Sequence, residues 1–283
     1  MESKFFSKPT VYVGEVSINV INIEKSLQFY NEFLGLSVLE KGGRKAVLTA
    51  DGTNPLLTLH QPEDVTGKKA RTTGLFHFAI LLPTRSDLSA FLNHLVQTGV
   101  QLGASDHLVS EALYISDPDG NGIEIYHDRL ASEWDWVNGE VVMATEPLDG
   151  QGLLAESNES WNGFPPETVM GHIHLHVSSL EGSQEFYTKG LGFDIATSKY
   201  PGALFLSTGG YHHHIGLNVW NGEGASAPAK NSVGFVSYTL VYPNQEVRDK
   251  VVSNLTNIGV SVDKKDYRTE DPSGNEIVLV VGE

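Results

Sequence analysis

Alternation of apolar and polar residues marks four places where a β-strand opens a new unit. His172-Ile-His-Leu-His-Val177 is the plainest, with apolar side chains at every second position, the period of a strand with one buried face. Ser178-Ser179 then precedes Leu180 to Tyr187, with glycines at 190 and 192, which predicts a capped helix and its stop. Short apolar runs broken by turn residues such as Gly209-Gly210 predict further strands. Each unit therefore reads β-α-β-β-β.

The pattern repeats. Val16-Ser-Ile-Asn-Val20, Phe29-Tyr30 and Leu34-Gly35 are matched by Ile173-His-Leu-His-Val177, Phe186-Tyr187 and Leu191-Gly192 at one constant offset. Asp117-Pro-Asp-Gly-Asn121 is matched by Asp271-Pro-Ser-Gly-Asn275, and Ile80-Leu-Leu-Pro83 by Leu240-Val-Tyr-Pro243. Repeats decide the architecture before anything else does. Four modules are expected, near 10–62, 71–129, 168–221 and 231–282. Residues 131–167, rich in Gly, Glu, Ser and Pro, divide an N-terminal half (1–130) from a C-terminal half (168–283).

One residue breaks the pattern. Glu124 sits in the otherwise apolar run Ile123-Glu124-Ile125-Tyr126, just after the Asp117-Pro-Asp-Gly120 turn. A carboxylate in a half-buried strand is costly unless something pairs with it. A metal ion is one such partner, and His77 and His172 lie on other strands. Two His and one Glu around open coordination positions are the donor set of non-haem Fe(II) oxygenases.

Composition narrows the field. The chain has 283 residues, 40% of them hydrophobic, enough for a sizeable core. Its formal charge of −16 argues against nucleic acid or an anionic membrane as partner. The absence of Cys removes disulfides and thiolate metal sites, and fits a cytoplasmic protein. Neither a membrane-spanning apolar run nor a signal peptide is expected from the pattern.

Four β-α-β-β-β modules, with Phe-Tyr and Leu-Gly after the first strand and Asp-Pro-Asp-Gly-Asn before the last, resemble the vicinal oxygen chelate superfamily. That superfamily holds glyoxalase I, antibiotic-binding proteins and the catechol 2,3-dioxygenase-type extradiol enzymes. The resemblance covers nearly the whole chain. It implies an α+β fold in which paired modules form two cupped mixed sheets around a metal. The first-strand ligand position falls on Glu15, His77, His172 and Ser237 in modules one to four. The last-strand position falls on Glu124 in module two and on Val278, not Glu276, in module four. Module four thus lacks both ligands. The implied site is His77, Glu124 and His172, between modules two and three, with the outer modules paired to each other.

The resemblance also implies roles around that triad. Tyr114 matches a Tyr that contacts catechol oxygens, and His107 an upstream second-sphere His, two residues nearer than in the family pattern. The run Tyr211-His-His-His-Ile-Gly-Leu217 resembles an Arg-His-His-Thr-Ile-Ala-Leu-like strand whose second His is the acid–base. That role falls on His213, with His214 one residue away. An imidazole suits it because its ordinary pKa lies near neutrality.

Other readings of these residues compete. A strand His is more often packed than ligating. Glu15 with His77 and Glu124 would make a glyoxalase-like set, Tyr114 has an ordinary place as a core aromatic, and His212 to His214 follow a turn and read equally as a solvated cluster. His174 and His176 share the face of His172 and would line the same cavity or its mouth. His94 reads as surface, His60 and His127 end strands without a role, and Trp134-Asp-Trp136 reads as packing of the connection. The expected function is an Fe(II)-dependent extradiol dioxygenase, with Mn(II) or another divalent metal as alternative, acting with O2 on a catechol- or hydroquinone-type aromatic. A glyoxalase-like lyase or isomerase and a non-enzymatic small-molecule binding protein are the alternatives. Exposed sheet edges are compatible with a homo-oligomer.

Overall fold

A computed structural model of the chain describes residues 1–282. Module one runs β1 (Tyr12–Asn19), α1 (Ile23–Leu27, continued by a π-helical turn over Gln28–Phe33), β2 (Ser37–Gly42), β3 (Lys45–Thr49) and β4 (Leu57–His60). Module two runs β5 (Gly74–Leu81), α2 (Arg85–Thr98), β6 (Gly103–Asp106), β7 (Ser110–Ser116) and β8 (Gly122–Asp128). The connection holds a small hairpin, β9 (Trp136–Val137) and β10 (Glu140–Val141), and α3 (Gly150–Leu154). Module three runs β11 (Val169–His176), α4 (Leu180–Glu185, continued by a π-helical turn over Phe186–Gly190), β12 (Asp194–Thr197), β13 (Ala203–Ser207) and β14 (Ile215–Asn218). Module four has β15 (Gly234–Tyr242), α5 (Gln245–Asn257), β16 (Arg268–Glu270) and β17 (Glu276–Val281), with an isolated bridge between Asp263 and Arg268 where the others have a further strand. No helix among the described residues is long and apolar enough to cross a membrane.

The four main helices start alike. Asn22, Thr84, Ser179 and Asn244 each place a side-chain oxygen on a backbone N–H three residues on. This is the cap that satisfies the open donors of a first helical turn.

Two mixed sheets follow. The seven-stranded sheet has the order β16-β17-β15-β1-β4-β3-β2 and joins modules four and one; the eight-stranded sheet, β12-β13-β14-β11-β5-β8-β7-β6, joins modules three and two. Each seam is an antiparallel pair of first strands, β1 with β15 and β11 with β5. The two repeated motifs bind across the other direction. Tyr30 donates its hydroxyl to Asp117 at 2.8 Å, tying module one to module two, and Tyr187 reaches Asp271 at 3.1 Å, tying three to four. Both Asp residues also hold their own turns: Asp117 accepts from the backbone of Asp119 and Asn121, and Asp271 from that of Ser273 and Asn275.

Strand alternation sorts the side chains of the larger sheet. Phe78, Ile80, Ile123, Ile125, Ile173 and Leu175 enter the main core, which both sheets and the helices share. The intervening residues line the hollow of the curled sheet. One end of that hollow is filled by a second apolar cluster: Ala79, Leu81, Ala112 and Tyr126 pack against Phe5, Phe6, Trp134 and Tyr211. The other end is left for polar residues.

Candidate metal centre and substrate cavity

His77, Glu124 and His172 converge at that polar end. Glu124 Oε2 lies 3.1 Å from His77 Nε2 and 3.3 Å from His172 Nε2, and the two imidazole nitrogens are 3.4 Å apart. Among the described residues it is the only group of three or more His, Cys, Asp or Glu placed to share an ion. Backbone register sets the arrangement. His77 pairs with His174 across β5 and β11, Ala79 with Glu124 across β5 and β8, and Tyr114 with Glu124 across β7 and β8. Bulges in β11 after Met170 and His174 adjust how its histidines are presented. Two glycines make the close approach feasible. A Cβ on Gly122 would fall 2.4 Å from the carbonyl oxygen of Phe76, and one on Gly171 would fall 2.0 Å from the Tyr126 hydroxyl oxygen.

The donor set fits a divalent cation. Glu124 is 3% exposed and His172 1%. Burial drives the His172 imidazole down to about 4, only partly opposed by the Glu124 carboxylate, so it is neutral at pH 7 and its nitrogen lone pair is free to bind. Burial would raise Glu124, but the imidazoles of His172 and His77 outweigh it and hold the group well below the usual carboxylate range. The result is a buried anion facing at least one uncharged imidazole, an arrangement whose desolvation cost a cation offsets. Neighbouring donors of a six-coordinate ion with bonds of about 2.0–2.2 Å stand about 3 Å apart, close to the observed spacing.

A cavity of about 350 Å³ opens on these three residues. Its walls are aromatic: Phe76, Tyr200, Phe205 and Trp220, with Met143. Among the described residues no Lys or Arg lines it. Tyr114 and His107 enter from β7 and the turn before it. His107 Nδ1 donates to the Ala144 carbonyl at 2.7 Å, so a neutral ring presents bare Nε2, which accepts the Tyr114 hydroxyl at 2.6 Å. Burial and the nearby Glu124 charge raise Tyr114 well above the ordinary phenol range, which keeps it protonated. His213 also lines the cavity, its ring centroid 4.1 Å from that of His172. Burial, then the neighbouring histidines 172 and 212, push it well below the usual imidazole range.

The residues singled out by the sequence separate clearly. His77, Tyr114, His107, Glu124, His172 and His213 share one cavity, and His174 lines it too. His174 accepts at Nε2 from Asn218, which in turn accepts from His176. His212 to His214 do not form a solvated turn, since all three are buried. Their rings diverge: His214 Nε2 donates to the Phe5 carbonyl at 3.0 Å, away from the cavity. Glu15 lies in the other sheet, bonded to Thr58, and is not part of the cluster. By the repeat, Glu15, Ser237 and Val278 occupy in the smaller sheet the places of His172, His77 and Glu124, a set without two of the three donors. His94 is not a free surface residue: it is half-buried, with Nε2 3.0 Å from the Phe33 carbonyl.

Several lining residues lay outside the sequence reading. Met143 and Thr145 come from the connection at 131–167, and Phe76, Tyr200, Phe205 and Trp220 read as ordinary strand and turn aromatics. Asp128, at the end of β8, accepts from His212 Nε2 at 2.8 Å and was not singled out either. Its spacing of one further turn of alternation beyond Glu124 and Tyr126 was the available signal.

A family model of the Glyoxalase/Bleomycin resistance protein/Dioxygenase superfamily matches residues 12–125. The catechol-2,3-dioxygenase of Bacillus subtilis (strain 168) is 46% identical over 278 residues, covering 95% of this chain and 97% of the relative. Among solved structures, a chain from Bacillus subtilis subsp. subtilis str. 168 superimposes with a TM-score of 0.65 at 12% identity, over 97% of this chain and 86% of that one. Glyoxalase I from Zea mays superimposes with a TM-score of 0.57 at 16% identity, over 96% and 92%. These two likenesses concern the fold. The near full-length relative, with the family match over residues 12–125, shows that the chain belongs to the glyoxalase, bleomycin resistance protein and dioxygenase superfamily.

Proposed function

We propose that this chain is an Fe(II)-dependent extradiol ring-cleaving dioxygenase that acts with O2 on a catechol- or hydroquinone-type aromatic. One observation carries the reading. A two-His, one-carboxylate donor set and a separate neutral imidazole, His213, face the same aromatic-walled cavity. A relative named catechol-2,3-dioxygenase matches over nearly the whole chain and supports it. Glu15, which a glyoxalase-like donor set would use, stands in the other sheet.

His77, Glu124 and His172 would hold the metal. An Fe(II) ion there supplies the redox chemistry by which O2 reacts with a catecholate, work that no amino-acid side chain performs. The rest falls to the chain's own groups. Phe76, Phe205 and Trp220 enclose a planar ring and exclude water. His213 accepts the proton of a substrate hydroxyl and returns it later, a role suited to an imidazole that is neutral when substrate arrives. The Tyr114 oxygen, its own proton engaged by His107, is left to accept a hydrogen bond from the substrate.

The test is O2 uptake by protein reconstituted anaerobically with Fe(II), with catechol as substrate. Wild type is expected to consume O2 and form a yellow ring-opened product. His213→Ala is expected to keep its iron and lose about 10²–10⁴-fold in kcat, the usual contribution of a general acid–base. Product formed without O2 would point to a lyase or isomerase. Saturable binding without product from any of a broad set of catechols would point to a binding protein. Either outcome defeats the proposal.

A further inference from the structure

Behind His213 stands a string of buried groups that the proposed reaction does not itself use. Asp128 Oδ1 lies 2.8 Å from His212 Nε2, and His212 Nδ1 lies 2.8 Å from His213 Nδ1. The Asp128 carboxylate also takes the Tyr211 hydroxyl at 3.0 Å, and the Tyr126 and Tyr211 hydroxyls are 2.7 Å apart. None of these side chains is more than slightly exposed.

With one proton on each imidazole, hydrogen-bond logic places the protons along the string. A carboxylate only accepts, so the proton of His212 sits on Nε2, facing Asp128. Its Nδ1 is then a bare lone pair and must accept from His213. His213 in turn carries its proton on Nδ1, and its Nε2 is a bare lone pair. Among the described residues nothing hydrogen-bonds that Nε2, and the ring lines the substrate cavity. The tautomer required of a proton acceptor is the one the string enforces.

We infer that Asp128 and His212 are positioning residues that lock His213 as the Nδ1-protonated tautomer and so present its Nε2 to the substrate hydroxyl. The inference rests on the reading of His213 as acid–base. It parallels the logic of a buried Asp that orients a catalytic His, where loss of the Asp leaves geometry intact but favours the wrong tautomer. Here one further imidazole stands between them, and the Tyr211 ring packs against it, with centroids 4.0 Å apart and planes tilted by 35°, which confines its motion. Asp128 serves the string from the end of β8, four residues beyond Glu124, so one strand supplies both the carboxylate of the donor set and the anchor of the acid–base.

Two measurements test this. The first is nitrogen NMR of the histidine rings in the full chain loaded with diamagnetic Zn(II). A proton on His213 Nδ1 and on His212 Nε2 is expected. A proton on His213 Nε2 with Nδ1 bare overturns the inference, whatever any variant does. The second is steady-state kinetics of the iron-loaded enzyme with catechol. His212→Phe keeps a ring packed against Tyr211 but removes the acceptor. It is expected to lose about 10²–10³-fold in kcat, while KM and bound iron change less than about 3-fold. His212→Asn restores an amide oxygen near the place of Nδ1 and is expected to recover at least about 10-fold of that loss. An unchanged kcat in a folded His212→Phe overturns the inference. If that variant does not fold, the wild-type tautomer still decides. His213→Ala separates the two claims. Unchanged turnover there defeats the acid–base reading itself, whereas loss in His213→Ala beside an intact His212→Phe defeats only the positioning role.

Discussion

Replacing Glu124 by Gln probes the centre through charge alone, because the two side chains have nearly the same volume. In the native chain the Glu124 carboxylate is the one anion in the donor set, 3.1 and 3.3 Å from the two imidazole nitrogens. The substitution removes the anionic member of the proposed donor set. Changes one shell further out typically cost 10–100-fold in metal affinity, so loss of the ligand itself is set at about 100-fold or more. With free metal at about 100 times the native dissociation constant, the native chain gains about 2.7 kcal/mol of stability from binding. For a chain of this size that corresponds to a rise in Tm of about 5 °C. The variant at the same metal concentration gains about 0.4 kcal/mol, a rise below about 1 °C. Without metal the partners of the carboxylate are the two imidazoles that hold it ionised, so the variant, which loses that pairing, is expected to have a metal-free Tm at or a little below the native value. Scanning calorimetry with and without Fe(II) under argon, with metal content after dialysis, reads both effects. A Glu124→Gln protein that keeps both its metal and a native-sized metal-induced rise refutes the reasoning. A metal-free variant that is much less stable than native shows instead that the carboxylate serves the fold.

Three further outcomes follow from the same geometry. Glu15→Ala is expected to keep its metal and turnover, since Glu15 bonds Thr58 in the other sheet; loss of metal there, with retention in His172→Ala, would move the centre. A catechol bearing a ring carboxylate is expected to show kcat/KM at least about 100-fold below that of catechol, because the aromatic cavity offers its charge no basic partner and burying it unpaired costs about 3 kcal/mol or more; equal kcat/KM contradicts this. Phe5→Ala is expected to cost about 3 kcal/mol in denaturant unfolding, since Phe5 is buried against Trp134 and Tyr211 and seals the end of the hollow; a loss below about 1 kcal/mol contradicts that role.

The module pattern was legible because it rests on local physics. Alternation marks the first strands, capping residues mark the helices, and the Asp117 and Asp271 turns carry their own hydrogen bonds. Glu124 stood out for the same reason, as a charge that an apolar strand does not tolerate unpaired. What the sequence did not show depends on curvature and distance along the chain. His212, His213 and His214 are indistinguishable in the sequence, yet one meets Asp128, one the cavity and one the Phe5 carbonyl. Asp128 itself is an ordinary strand-end residue until the sheet brings the turn at 211–214 beside it. Met143 and Thr145 were hidden because 131–167 reads as a polar connection, and only its return across β6 and β12 makes it a wall of the cavity.

The most direct measurement is isotopic. Iron-loaded protein is given catechol under oxygen gas labelled with the heavy isotope, in ordinary water, and the ring-opened product is trapped and weighed by mass spectrometry. The account predicts one O2 consumed per catechol and both oxygen atoms of that O2 in the same product molecule, apart from exchange of the aldehyde oxygen with water, which trapping at short times suppresses. Incorporation of one atom only at the shortest times, or product formed with no label at all, would contradict it.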